Sequence, residues 1–388
     1  MYAERFDLPE IDRDLEYHAR PNWVEIDASA IRDNLKALRR MVGPNVKIFA
    51  TLKGNACGFG IAKAATTIGS GGADAIATVD LSDAIKVRRA GVRLPVLLFG
   101  GNFPTVEVVE AIERHDFIVT FHDRASAEGF LAKARGRIKV FIETNVGGER
   151  FGVDPEETPA FASWVHAQDK AEIVGFSAHM HVPKGEVGLR LVDWQYRRFL
   201  AALAATKDAG VPVPLRMIAS SRTLILTREM NLDAVDPGHL VFGLMPTDNA
   251  VVETGVRPAF FALKSRLIAV RNLARSAYLD ETPFPARAGL RFGVIPMGSS
   301  DALARLTVGT VLVRGRRAPL LGSPATEHAR IDLTDVPDAA AGDEVVVIGR
   351  QGENSITLDE VHRHHGVLTK DIISSLPAAM PRVYLDFA

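Results

Sequence analysis

Residues 46–60, VKIFATLKGNACGFG, carry an apolar run straight into a lysine and a glycine-rich loop. The run is apolar on both faces, as a strand covered on each side in a parallel sheet should be. Seven further runs follow: 75–79 (AIATV), 95–99 (PVLLF), 117–121 (FIVTF), 138–142 (IKVFI), 173–179 (IVGFSAH), 215–219 (LRMIA) and 239–243 (HLVFG). Helical patterns separate them. Asp27 can cap DASAIRDNLKALRRM, whose Ile31, Leu35, Leu38 and Met41 share one stripe. Ser82 can start SDAIKVRRAG and Gly91 can end it, and 122–135, 155–168 and 190–209 read the same way. Strand–helix alternation of this kind predicts an α/β fold, a TIM-type (β/α)8 barrel. An open doubly wound sheet is the structural alternative.

The pattern changes near residue 255. Segments 259–272, 290–297, 306–321, 326–333 and 343–349 are strand-like with Gly, Pro and charged turns between them, and periodic helix returns only near 358–376. Three regions are therefore expected. Residues 1–21 form an N-terminal extension, 22–255 the barrel, and 256–388 a C-terminal, mainly β domain. The chain's 388 residues are 47% hydrophobic and 24% charged, the balance of a globular protein. Its 46 basic and 47 acidic residues leave a net charge of −1, so no global attraction to nucleic acid or an anionic membrane is expected. Cys57 is the one cysteine, which excludes an intrachain disulfide and a cysteine-based metal centre. The first residues are charged throughout with no apolar core, and no run approaches a membrane span, so the expected location is the cytoplasm.

In a parallel barrel the active site forms at the C-terminal ends of the strands. The first run ends at Lys53, whose amine can be desolvated there and so suited to a Schiff base; a structural lysine is the bland alternative. The fifth ends in ETNVGGERFG, whose double glycine can return Arg150 to the mouth to hold a carboxylate, with Glu143 placed to orient it. A surface salt bridge is the competing reading of Arg150. The sixth ends in His179 and His181; no carboxylate or cysteine lies close in sequence to complete a metal site, so His179 is read as a hydrogen-bonding group beside a cofactor and no metal is expected. The seventh ends in ASSRT, where Ser220 and Ser221 offer hydroxyls and backbone N–H groups to a phosphate, and Asp236 precedes a Pro-Gly turn that could face the same phosphate. HRHH at 362–365 is read as a solvated helix face.

This order of motifs resembles the alanine racemase family, fold-type III pyridoxal-phosphate enzymes, over about residues 22–388. WVEIDASAIRDNLKAL resembles the family's opening. TLKGNACGFG resembles its cofactor-lysine motif, usually V-K-A-N-A-Y-G-H-G, and ETNVGGERFG is similar to K-V-D-T-G-M-G-R-L-G. PAFFALKSRLIAVRNL, GVIPMGSSDALAR, VLVRGRRAPLLG, IDLTDVP and MPRVY follow the family's C-terminal domain in order. The resemblance implies the cofactor pyridoxal 5'-phosphate, a small amino-acid substrate and a homodimer. It makes Lys53 the catalytic base that also bonds the cofactor, and Tyr278, in ARSAYLDE, the base on the opposite face, supplied by the other subunit. It places Arg150 near the cofactor phenolate and the substrate carboxylate, and Glu143 where the family often has a carbamylated lysine. It puts Ser221, Gly238 and the backbone of His239 at the phosphate, and His179 beside the ring.

Departures from the pattern bear on substrate and reaction. Asp236 replaces an arginine that faces the pyridine nitrogen, and an aspartate favours the protonated ring, a stronger electron sink. Cys57 replaces a phosphate-binding tyrosine, and Ser299 replaces a bulky tyrosine at the substrate entrance. PATEH puts Thr326 and Glu327 where Met and Asp are usual, and Ala378 lies near an expected active-site tyrosine. These losses predict a pocket wider or differently polar than one for alanine. The function expected is an amino-acid racemase with a non-alanine or broad substrate. A lyase or decarboxylase on the same fold is the alternative that Asp236 keeps open. A low-turnover cofactor-binding protein ranks third, because single-barrel proteins of that kind lack the C-terminal domain.

Overall fold

The computed structural model describes residues 20–183, 185–245, 254–273 and 289–387. By internal contacts the chain divides into two units: Ala30–Cys57 with Ile61–Arg257, and the residues up to Ser29 with Gly58–Gly60 and Pro258 onward.

Strand β1 (Trp23–Asp27) begins the described chain and belongs to the second unit. The next eight strands are β2 (Lys47–Thr51), β3 (Ala75–Thr78), β4 (Val96–Leu98), β5 (Ile118–Phe121), β6 (Ile138–Glu143), β7 (Ala171–Ser177), β8 (Arg216–Ser220) and β9 (Ala234–Asp236). They close into a barrel in that order, every pairing parallel, with β9 returning to β2. The barrel is thus a (β/α)8 fold, and the open sheet is excluded. Its interior is packed by Phe49, Ala75, Ala77, Leu97, Ile118, Phe141, Met217 and Ala234, all buried. Each comes from an alternate strand position, as inward-facing residues must.

The eighth strand differs from expectation. His239–Phe242, expected as a strand, is a 3-10 turn, and β9 is the three-residue AVD before it. A short run of buried apolar residues has no period that separates strand from turn. Pro237 ends the strand and its carbonyl accepts from Thr51 N at 2.8 Å, so the barrel's last ladder bond falls at the turn itself. The correction moves Asp236 to a strand end.

The helix expected from Ser82 is Leu81–Arg89, capped by Asp80, whose carboxylate accepts from Ser82 N at 2.7 Å. The helix stripe expected after Asp27 is found in Ala28–Val42.

The second unit is mainly β. It adds β10 (Phe260–Arg266), β11 (Ala269–Asn272), β12 (Arg291–Ile295), β13 (Thr310–Val313), β14 (Arg316–Pro319), β15 (Ala329–Asp332), β16 (Glu344–Gln351), β17 (Asn354–Ile356) and β18 (Arg382–Leu385). One sheet runs β14-β13-β16-β10-β1-β18 with β17 on β16, and a second runs β11-β12-β15. β1 pairs antiparallel with β10 and parallel with β18. The expected barrel boundary at residue 22 therefore differs from the contact boundary, because WVEID finds its ladder partners in the second unit. HRHH lies in the helix Leu358–His365, but His362 and His365 are half-buried on backbone carbonyls of Val367 and Thr307.

Candidate active site

Two halves of the barrel mouth face one cavity of about 240 Å³. On one side, β9 and β2 are neighbours. Asp236 ends β9 and Lys53 follows β2 by two residues. Thr51 ties the two strands, its hydroxyl donating to Asp236 O at 3.2 Å. On the other side Glu143 and Ser177 end β6 and β7 as direct register partners, and His179 follows. Lys53, Glu143, Arg150, Ser177, His179 and Asp236 all line the cavity, with Val79, Phe99, Phe151 and Met217 as apolar walls.

Burial controls the charges here. It lowers the Lys53 amine from its ordinary value, against the pull of Asp236. The same burial pushes the Asp236 carboxyl up to about 7, against the pull of Lys53. Both members of the pair are thereby driven toward their neutral forms. The Glu143 carboxyl is raised by desolvation although Arg150 and Lys53 oppose the shift. Desolvation lowers His179 to about 4, with the Lys53 and Arg150 charges adding to it, so its imidazole is neutral near pH 7. The Lys53 ammonium end sits 4.2 Å from the centroid of the Phe99 ring.

The backbone after Lys53 is unusual. Gly54, Asn55, Ala56 and Cys57 all have left-handed φ values of 60°, 53°, 57° and 54°. Three of the four carry a Cβ, and each such residue costs about 1–2 kcal/mol in this region. The turn has its own bonds: Ala56 N donates to Leu52 O at 3.2 Å, and Asn55 Oδ1 accepts from Ile61 N at 2.9 Å. Glycines at 54, 58 and 60 let the backbone approach an anion closely. Gly58 instead answers to the backbone of the second unit, because a Cβ there would lie 2.3 Å from Ile373 O.

The Arg150 loop is built differently. Its ends are pinned by Val153 N to Glu143 O and Asn145 N to Val153 O, both 2.8 Å. Asn145 organises the interior: its Oδ1 accepts from Gly147 N and Glu149 N, and its Nδ2 donates to Glu149 and Asp154. A Cβ at Gly152, whose φ is 112°, would lie 2.6 Å from Asn145 N. Arg150 itself is exposed. Glu143, expected to orient it, attracts it through space but forms no hydrogen bond or ion pair with it. Both side chains line the same cavity, Glu143 buried at the strand end and Arg150 on the exposed loop.

The remaining expected residues fall in two groups. Ser221 Oγ accepts from Gly238 N at 3.0 Å and from Leu240 N at 3.3 Å, which gathers Ser221, Gly238 and His239 into one cluster beside Ser220. With both acceptor positions filled, the hydroxyl proton is left to donate outward. Cys57 is half-buried beside Lys53. Ser299, Thr326 and Glu327 are exposed on two loops of the second unit, joined by Ser299 N to Ala325 O and Ser300 N to Thr326 O, both 2.9 Å. Tyr278 lies outside the described residues.

Ser177, Phe99 and Asn145 were not expected. Ser177 is 3% exposed and its hydroxyl has no hydrogen-bond partner among the described residues. A buried hydroxyl left unsatisfied is costly, so its position on the cavity calls for a polar ligand. The signal available was its place at the end of IVGFSAH.

Family models match nearly the whole described chain: the alanine racemase N-terminal domain over residues 26–246 and the alanine racemase C-terminal domain over 260–384. The chain belongs to the alanine racemase family. It is 30% identical over 376 residues to the alanine racemase of Desulforamulus reducens, covering 94% of this chain and 99% of that one. The alanine racemase of Halothermothrix orenii is 27% identical over 371 residues, with 94% and 97% covered. A crystal structure of alanine racemase from Bacillus anthracis with bound L-Ala-P superposes with a TM-score of 0.83 at 25% identity, covering 94% of this chain and 95% of that one. Identities this low over full length mark a divergent member. The cofactor of this family of racemases is pyridoxal 5'-phosphate. The residues present fit it: a buried amine at a strand end, a buried carboxyl on the adjoining strand, an unpartnered hydroxyl in the cavity, and a serine hydroxyl with a proton left to donate. Among the described residues no helix is long and apolar enough to cross a membrane.

Proposed function

We propose that this racemase interconverts the L and D forms of amino acids other than, or besides, alanine by two-base proton transfer. Lys53 is the base on one face of the α-carbon. Tyr278, from the second subunit of a homodimer, is the base on the other. The observation that carries the reading is the buried Lys53 amine lining the cavity beside Asp236 of the neighbouring strand, with burial favouring the neutral amine. A neutral amine is the form that attacks an aldehyde and accepts a proton.

When bound, pyridoxal phosphate supplies the electron sink that makes the α-C–H bond acidic. The chain does the rest. Lys53 would hold the cofactor through its aldehyde, and its Nζ, freed when the substrate amine takes its place, would move the α-proton. Asp236 would stand at the ring nitrogen and keep a proton in that pair, as its raised carboxyl pKa of about 7 favours. The Ser221 hydroxyl, with the backbone at Gly238 and His239 and the neighbouring Ser220, binds the phosphate. His179, neutral near pH 7, hydrogen-bonds beside the ring, and Cys57 stands where a further phosphate hydroxyl is usual. Arg150 takes the substrate carboxylate, and the apolar walls exclude water. The barrel holds the cofactor, and the C-terminal domain supplies Tyr278 to the neighbouring subunit. Ser299, Thr326 and Glu327 leave the substrate side wider and more polar than an alanine site.

Asp236 also supports the second reading, a lyase or decarboxylase. A panel of single L-amino acids, each assayed for loss of optical activity and for released carbon dioxide, ammonia or aldehyde, separates the two. Loss of chirality alone, fastest for a side chain larger than methyl, is expected. Product release without inversion rejects the racemase reading, and a strong preference for alanine rejects the wider pocket.

A further inference from the structure

We propose that Arg382 and Tyr384 of β18 are positioning residues for Lys53: by holding the carbonyls of Gly58 and Phe59 they keep the left-handed turn that Lys53 heads. The proposal rests on the reading of Lys53 as the cofactor-bearing base. Four successive left-handed residues, three with a Cβ, persist only where the surroundings over-determine them. The hydrogen bonds from Ala56 to Leu52 and from Ile61 to Asn55 brace its start and its exit. The chain between them, Gly58–Gly60, belongs to the second unit, and there the bracing comes from β18.

Arg382 Nε donates to Gly58 O at 3.0 Å. Its other guanidinium nitrogens bind the carbonyls of Leu376, Pro377, Ala378 and Met380. No carboxylate within ion-pair distance neutralises it among the described residues. An arginine kept for its charge would pair with an acid; this one is spent on fixing backbone oxygens in place. It does so although burial lowers its pKa to about 10. Tyr384, with its hydroxyl buried, donates to Phe59 O at 3.0 Å. Gly60 rests on the Arg382 stem at 3.6–3.8 Å from where its Cβ would be, and Gly58 backs onto Ile373 O. Both side chains are rigidly mounted, because β18 is in register with β1 at Val24↔Arg382 and Ile26↔Tyr384. Only four residues separate Lys53 from Gly58, so a shift of the held carbonyls reaches the lysine through the covalent chain.

The test uses Tyr384→Phe, which deletes one oxygen, and Arg382→Lys, which keeps the charge and loses the fork. Amide deuterium exchange over 54–61 and the pH profile of Lys53 acylation are measured on the cofactor-free, full-length protein, and kcat and KM on the loaded one. Tyr384→Phe is expected to speed exchange at 54–61 by about tenfold, the loss of one buried hydrogen bond. It should also shift the Lys53 acylation profile and lower kcat with KM little changed. Arg382→Lys is expected to do the same more strongly. If that variant does not fold, Tyr384→Phe decides alone. A folded Tyr384→Phe with unchanged exchange at 54–61 and an unchanged Lys53 profile overturns the proposal. So does faster exchange spread evenly over the β1–β18 sheet, which is what a merely structural role gives. Borohydride reduction of the loaded wild type, followed by peptide mapping, tests the Lys53 reading separately: cofactor fixed on another residue rejects that reading and leaves the exchange result to be judged on its own.

Discussion

Two glycine-rich loops leave the barrel's strand ends, and they solve opposite problems. The loop after β2 buries an amine and stores backbone strain, with left-handed φ values at Asn55, Ala56 and Cys57. The loop after β6 exposes a cation and is knitted by its own hydrogen bonds through Asn145. A base must be desolvated to be neutral near pH 7, so Lys53 is held from outside its own loop. In the proposed reading Arg150 clamps a carboxylate as a permanent cation, which needs only a loop of fixed shape.

That contrast is broken most severely by Lys53→Ala. Turnover should fall on the order of 10²–10⁴-fold, the scale of a lost general acid–base group, and the absorbance of the cofactor–lysine link should vanish. Arg150→Ala should spare that absorbance and raise KM by about 10–100-fold, the worth of a charge-assisted bidentate contact. If Arg150→Ala also releases the cofactor, the two loops do not divide the work as described.

Asp236→Asn sharpens the comparison through pH. The ordinary carboxyl value is near 4 and the folded one about 7. Between them the unfolded chain gives up a proton that the folded chain keeps. Wild-type stability from this group therefore falls as pH rises through that window, and the penalty is complete above about 7. The cofactor-free Asn variant should match wild type near pH 4 and exceed it at pH 8 by a few kcal/mol in order of magnitude, read as a higher Tm. Equal Tm values at both pH values would contradict the burial of this carboxyl. The smallest effect is expected from Asn145→Ala, which removes the Arg150 loop's organiser. About 1 kcal/mol of stability is lost, and KM rises a few-fold with kcat retained.

The strands of the barrel were legible because their apolar runs are long enough to resemble nothing else between helical periods. The last was not, since AVD is three residues long and the more apolar HLVF next to it forms a turn. β1 and β18 were missed for a related reason: each is short and polar at one end, and pairing far along the chain, β1 with β10 and β18 with β1, makes them strands. At the site, the strand-end rule brought out Lys53, Arg150 and His179. It could not reveal the left-handed turn, because residues 55–57 carry side chains and nothing in their chemistry marks positive φ. Asn145 and Ser177 act through hydrogen bonds, one made and one left open, that no spacing announces.

The central claim is that two groups on opposite faces of the α-carbon move the proton, with Lys53 as one of them. The most direct measurement is α-deuterium uptake from heavy water by each antipode of the fastest amino acid, in wild type and in Tyr278→Phe. Wild type should invert both antipodes with one α-deuterium incorporated and no other product. Tyr278→Phe should keep exchanging the antipode whose α-hydrogen faces Lys53, with retention, while exchange of the other and inversion collapse together. Equal loss for both antipodes, or inversion at the wild-type rate, would contradict the account.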